Sequence, residues 1–285
     1  MSGKYEKYSE NAVFKPRSIY ETVRWTMRNT VISSLASIIK PSKKNCLRCL
    51  YCHYVFDDQR NQFSTIISQL KNTGDFIDTD SLVSIAKGKD HLDGRYYHLS
   101  FDDGFKNIVQ NAFPILYEQK VPALFFVPTS FIDADFNKAK SFCLKKTNYR
   151  GVIEMASWRD LHELSDANFD IGAHTRTHPK LAHLSKIDEL ESEIIGARKD
   201  LEKTHKIQCN YFSWPFGKRN DVNQTVISVI KKAGYNACFG AFRGSIIPGM
   251  TNPYMLPRHH FEVQWPMNHI CFFAESNFYQ AELLG

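Results

Sequence analysis

Short apolar runs, dense in Val, Ile, Leu, Phe and Tyr, recur along this chain between longer segments of mixed polarity. Runs at 47–55, 96–101, 122–127, 169–173, 210–214, 235–239 and 254–259 have the pattern of buried strands. Segments at 60–72, 105–119, 158–165, 187–204 and 222–233 carry apolar residues at helical spacing. The last is the clearest: Val226, Ile227, Val229 and Ile230 share a face, and Gly234 follows the end. Strands alternating with helices predict a mainly parallel sheet covered by helices. Seven strand segments without a Pro-, Gly- or Ser-rich linker favour one α/β domain over 46–285, a closed or nearly closed seven-stranded barrel, over two domains. Residues 1–45 read as an N-terminal helical extension. Its one helical stretch, near 25–39, is amphipathic and expected to pack on the barrel, with peripheral contact to a membrane surface as the alternative.

Composition narrows the function classes. The net charge of +6 is modest, and no basic block is interleaved with aromatics, so no nucleic-acid partner is expected. No apolar stretch is long enough to cross a bilayer. The first residues, MSGKYEKYSE, lack the apolar run of a secretory signal, so a cytoplasmic location is expected. The seven cysteines are an odd number and are expected to be free thiols. Cys46, Cys49, Cys52 and His53 imitate a haem-attachment or iron–sulfur spacing. Their neighbours Leu47, Leu50, Tyr51, Tyr54, Val55 and Phe56 instead mark a buried strand in which cysteine acts as a small hydrophobe.

Candidate chemistry falls at strand ends. Asp102-Asp103-Gly104 follows one apolar run, His174 follows another, and Pro215-Phe216-Gly217 a third. In a β/α barrel the carboxyl ends of the strands converge on one face, so distant residues can share a pocket. His174 and His178 are spaced to face one way on a helical turn and hold one metal. Two adjacent carboxylates offer a further ligand and a proton acceptor, and two His plus one carboxylate leave positions open for a hydrolytic reaction.

These residues resemble the polysaccharide deacetylases of the NodB-homology group, carbohydrate esterase family four. Ser100-Phe-Asp-Asp-Gly104 resembles the family's T-F-D-D-G motif, His174-Thr-Arg-Thr-His178 its H-S/T-x-x-H motif, and Tyr211–Gly217 its third motif. The resemblance runs from about residue 47 to 260 and implies a distorted (β/α) barrel. It also implies that Asp102 is the general base, and that Asp103, His174 and His178 hold a divalent metal, commonly Zn2+. The reaction implied is hydrolysis of an N-acetyl group from an amino sugar. The general acid is either His259, in Leu256-Pro-Arg-His259, or His53. Tyr51-Cys-His53-Tyr-Val55 is similar to the first strand of the permuted poly-N-acetylglucosamine deacetylase branch and favours His53. Ser213 stands where the family usually has an Arg that orients the base, and Arg258 is the candidate substitute. Trp158, Trp214, Pro215, Phe216 and Arg258 are the candidate substrate-binding residues, and the Phe105 amide a candidate oxyanion donor. The expected substrate is an acylated amino sugar, nucleotide- or lipid-linked to suit the expected compartment. Deformylation or O-deacetylation by the same site, and a non-catalytic carbohydrate-binding barrel, are the alternatives.

Overall fold

The computed structural model describes residues 6–9, 18–38, 45–147, 149 and 151–276. The strands are β1 (Cys46–Cys52), β2 (Asp75–Phe76), β3 (Arg95–Phe101), β4 (Leu124–Val127), β5 (Asp170–Ala173), β6 (Tyr211–Ser213), β7 (Ala237–Phe239) and β8 (His259–His260). The α-helices are α1 (Ile19–Ile38), α2 (Arg60–Lys71), α3 (Thr79–Ala86), α4 (Phe113–Glu118), α5 (Phe136–Ser141), α6 (Trp158–Asp166), α7 (Ile187–Lys199), α8 (Gln224–Lys232) and α9 (Met267–Glu275).

Seven strands lie in the order β7-β6-β5-β4-β3-β1-β8, all paired in parallel, and the short β2 adds to β3. The segment entering β8 joins the two ends of this path. Leu256 forms a parallel bridge with Phe239, while His259 and His260 align with Leu50 and Tyr51 of β1. The sheet therefore curls into the expected distorted barrel.

Alternation along the strands separates two apolar layers. Leu47, Cys49, Leu124, Phe126, Tyr211 and Phe239 meet inside the barrel, while Leu50, Cys52, Leu99 and Phe101 face the helices. Cys49 and Cys52 thus point to opposite sides of β1, which separates their thiols and removes the apparent metal spacing. All seven cysteines are free, and six of them are buried.

The inner layer continues into α3, a helix missing from the sequence reading. Leu82, Val83, Ile85 and Ala86 pack against it. Thr79 of α3 donates to Asp170 at the start of β5, and Tyr211 at the start of β6 donates to Asp80. These contacts place α3 across the amino ends of the strands, closing the end of the barrel away from the site. Asp78 starts the helix by accepting from the Ser81 amide.

Two predicted helices change form along their length. The 105–119 segment passes through a π-helical turn at Ile108–Ala112 before α4 starts at Phe113. Pro114 has no N–H to give the preceding turn, and the wider turn absorbs that loss. The 187–204 segment is α7 followed by a π-helical turn at Asp200–Thr204. The expected last strand at 254–259 is reduced to His259–His260, because Asn252–Met255 form a turn.

Helix α1 is longer than expected and lies against α9. Ile32 packs on Phe272 and Phe273, Ser33 Oγ is 2.8 Å from His269 Nε2, and the Arg28 guanidinium sits over the Trp265 ring. No described helix is long and apolar enough to cross a membrane.

Candidate active site

Asp102 and Asp103 follow β3 directly. Asp103 and Gly104 both adopt positive φ, at 73° and 66°. This left-handed turn reverses the chain just past the strand and leaves both carboxylates at the barrel mouth. Gly104 is there because a Cβ in that conformation would press on Val127 and Ile132.

His174 follows β5, and its Nδ1 lies 2.8 Å from the Ser213 carbonyl. A carbonyl oxygen only accepts, so Nδ1 carries the proton and Nε2 presents a lone pair to the cavity. Between His174 and His178 the chain does not form the expected helical turn. Thr175 and His178 take positive φ, and the His178 amide donates to Thr175 Oγ1. The Glu193 carboxylate of α7 accepts from the amides of Arg176 and Thr177 and from the Thr177 hydroxyl. The two imidazoles still converge, with ring centroids 5.1 Å apart. Strained backbone at several neighbouring non-glycine residues, held by such bonds, is a feature of functional sites.

Asp103 Oδ1 is 3.3 Å from His178 Nε2 and 3.7 Å from His174 Nε2. One ligand atom from each of these three buried residues lies within 4.8 Å of the others. Burial pushes His174 down to about 4 against the pull of Asp102, so the imidazole is neutral at neutral pH. Burial alone would raise Asp103, but the hydrogen bond and charge of His178 bring it to about 2. Two imidazoles, the His174 lone pair aimed inward, and an ionised carboxylate are the donor set of a divalent cation. The residues fit a metal.

Asp102 is gripped from inside the barrel. Arg258 donates to both carboxylate oxygens, at 2.7 and 2.8 Å, and also to Ser100 Oγ, Ser213 Oγ and the Gly240 carbonyl. Its guanidinium lies 4.4 Å from the centre of the Tyr51 ring, with the Phe126 and Phe239 rings also close. Burial would raise Asp102, yet the Arg258 charge holds its carboxyl below the ordinary range. Arg258 therefore fixes the orientation of the Asp102 carboxylate, and Ser213 helps to hold the guanidinium. It lies beneath the site, fully buried, and does not line the cavity as a substrate contact.

The cavity of about 200 Å³ is lined by Tyr51, His53, Asp102, Asp103, His174, His178, Trp214 and Phe216, among others. His53 is in this wall, edge-on to both Tyr51 and His260. His259 is not. It is fully buried, with Nε2 at 3.2 Å from the Gly244 amide and 2.9 Å from its carbonyl. The register explains why His259 is absent from the wall: it aligns with outward-facing Leu50, while Arg258 and His260 share the inward side with Tyr51. Trp214 and Phe216 reach the cavity, and Phe216 stays exposed at its rim beside His178 and Lys180. Pro215 sits between them without lining it. Trp158 stacks on His205 at 3.5 Å, outside the cavity. Tyr51, Thr147, Tyr149 and Ala241 complete the wall and escaped the sequence reading. Tyr51 was legible as an inward strand position beside His53. Tyr149 and Ala241 lie in loops that carry no periodic signal.

The family described as polysaccharide deacetylase matches residues 89–238. A poly-beta-1,6-N-acetyl-D-glucosamine N-deacetylase of Staphylococcus aureus (strain MRSA252) is 26% identical over 207 residues, 70% of this chain and 66% of that protein. The chain thus spans just under two thirds of that relative. A protein of the same description from Staphylococcus epidermidis is 26% identical over 264 residues, covering 90% of this chain and 80% of its own length. Among solved structures, IcaB from Ammonifex degensii superposes with a TM-score of 0.69 at 19% identity, covering 82% of this chain and 98% of that one. The Streptococcus pyogenes deacetylase PplD, solved with acetate, gives 0.65 at 15% identity, covering 83% and 100%. These structures share the curled parallel barrel. With the family match spanning more than half of its length, and both aspartates and both metal-candidate histidines converging on one cavity, this chain belongs to the polysaccharide deacetylase family.

Proposed function

We propose that this protein is a metal-dependent N-deacetylase acting on a polymer of N-acetylglucosamine. The observation that carries this reading is the joint placement of an ionised Asp102, a three-donor cluster and His53 around one cavity. The names of the relatives support the substrate class.

Asp103, His174 and His178 would hold the cation, with Zn2+ the best match to two nitrogens and one oxygen. Bound there, it would polarise the acetamide carbonyl and acidify a water. Asp102 takes a proton from the attacking water. Arg258 occupies one side of each carboxylate oxygen and leaves the other free to accept. His53, also in the cavity wall, gives a proton to the departing amine nitrogen as the carbon–nitrogen bond breaks. Acetate and a free amino sugar leave. Trp214 and Phe216 offer apolar surface for the acetyl methyl and the sugar face.

The test is metal content and acetate release from purified protein. The substrate panel holds N-acetylglucosamine oligomers, a nucleotide-linked N-acetylglucosamine, and formylated and O-acetylated analogues. Near one divalent ion per chain is expected, with acetate released from the oligomers. Asp103→Ala should lose both, while His53→Gln keeps the metal and loses about 10²–10⁴-fold in kcat. A protein that binds no divalent ion under any loading overturns the mechanism. Turnover of the nucleotide sugar alone overturns the polymer.

A further inference from the structure

A proton donor must be held at a fixed angle to the atom it serves, and a partner on the second ring nitrogen is the usual device for histidine. Among the described residues no hydrogen bond or ion pair fixes the His53 imidazole. Ring packing takes that place. Tyr51, His53 and His260 form a triangle in which the ring centroids are 5.4, 5.2 and 5.2 Å apart. Tyr51 and His260 are partners in the register of β1 and β8, so the sheet sets two corners of the triangle. Tyr51 is held in turn by the Arg258 guanidinium, 4.4 Å from the centre of its ring. Loss of solvent, followed by the charges of His53, Arg243 and Arg28, keeps His260 neutral, so it meets His53 as an uncharged aromatic ring.

The chain that follows β8 supports His260 from its other side. The Trp265 amide donates to the Glu262 carbonyl, and this turn brings the indole edge-on to His260, with centroids 5.6 Å apart. Next to Trp265 stands α1. Its Arg28 guanidinium lies 4.7 Å from the indole centre, and Phe273 of α9 packs on the indole at 5.9 Å. α1 is fastened in place by Ile32 against Phe272 and Phe273, and by Ser33 against His269. Arg28, Trp265, His260 and His53 thus form one unbroken line of contacts from the N-terminal extension to the catalytic cavity. Packed side chains of this kind can carry energetic coupling, and only a measured coupling establishes that they do.

We propose that α1 positions the general acid, with Arg28 and Trp265 holding His260 and thereby fixing the His53 ring for proton transfer to the departing amine. This inference rests on the reading of His53 as the acid, so the test includes His53→Gln. kcat, KM and metal content are measured for wild type, His53→Gln, Trp265→Leu, Trp265→Phe, Arg28→Met and the double variant His53→Gln/Trp265→Leu. The substrates are the N-acetylglucosamine hexasaccharide and 4-nitrophenyl acetate. The amine of the first leaves only with a proton, whereas nitrophenolate leaves without one. Trp265→Leu should lower hexasaccharide kcat by about 10–100-fold, with metal content and KM kept and ester turnover within about twofold of wild type. Trp265→Phe restores an aromatic edge and should recover most of the rate. Arg28→Met, which removes one cation–π contact at a half-buried helix position, should cost about two- to fivefold in kcat. In the double variant Trp265→Leu should add nothing to the loss from His53→Gln, because the ring it positions is gone. Equal losses on both substrates, or losses that multiply in the double variant, make Trp265 a folding residue and overturn the positioning. Unchanged hexasaccharide turnover in Trp265→Leu and Arg28→Met also overturns it, and leaves His53 as the acid. If His53→Gln matches wild type, or wild type turns over no hexasaccharide, the functional reading itself fails and the positioning with it.

Discussion

At Asp102 two opposing effects meet. Burial disfavours the charged carboxylate, and a bidentate guanidinium favours it; the second prevails. Arg258 is itself fully buried, so the pair is held by geometry and by the serines and carbonyl that use its remaining donors. A lysine would keep the charge but not the planar fork. Arg258→Lys is therefore expected to bind metal as wild type does and to lose roughly 10²-fold in kcat/KM, since the base loses its fixed orientation. Arg258→Met would leave Asp102 buried without its counter-charge and cost about 3–5 kcal/mol of stability, read by urea unfolding. If Arg258→Lys turned over substrate at the wild-type rate, Arg258 would be a packing residue and not an orienting one.

Among elements, the loops after the strands carry most of the site, and their backbone is specified tightly. After β6 the chain turns through Phe216 and Gly217, with φ of 65° and 71°. A Cβ added at Gly217 would lie 2.1 Å from Ala241 Cβ and 2.4 Å from its backbone nitrogen. Backbone cannot yield as a flexible side chain does, so Gly217→Ala is expected to cost about 2–4 kcal/mol and to displace Phe216 and Trp214 from the cavity. Urea unfolding and KM should both register it. An unfolding midpoint unchanged from wild type would show that the loop relaxes freely. The loop between His174 and His178 illustrates the same point. The spacing of the two imidazoles was legible in the sequence, but the helical turn assigned to it was not there. Glu193 of α7 bonds the intervening amides instead.

Over the whole molecule, buried neutral histidines tie the barrel's stability to pH. His98 stacks on Phe239 and meets Thr79, and His259 lies beneath Gly244; burial pushes each down to about 3. In the unfolded chain both titrate near 6.5, so below that pH the unfolded state binds more protons. Stability from these two groups is complete above pH 6.5 and is lost as the pH falls toward 3. Each contributes a slope of about 1.4 kcal/mol per pH unit within that window. Urea midpoints measured from pH 7 to 4 should fall steadily, and His259→Gln should reduce the slope; a flat profile would show that protons reach these rings without unfolding. Periodicity pointed to strands alternating with helices, and so to a parallel barrel, because burial on both faces leaves an apolar run at most strands; it missed β2, α3, α5 and α9. Residue type and spacing likewise named Asp102 as a candidate base and Asp103, His174 and His178 as candidate metal ligands, all at strand ends. The sequence already favoured His53 over His259; that His53 lines the cavity and His259 does not belonged to tertiary structure. It depends on which side of β8 faces inward, and a strand of two residues has no periodicity to read. The grip of Arg258 on Asp102 and the place of α3 across the barrel floor were decided in the same way. Each is a contact between segments far apart in the chain, where only the closed barrel determines which side chains meet.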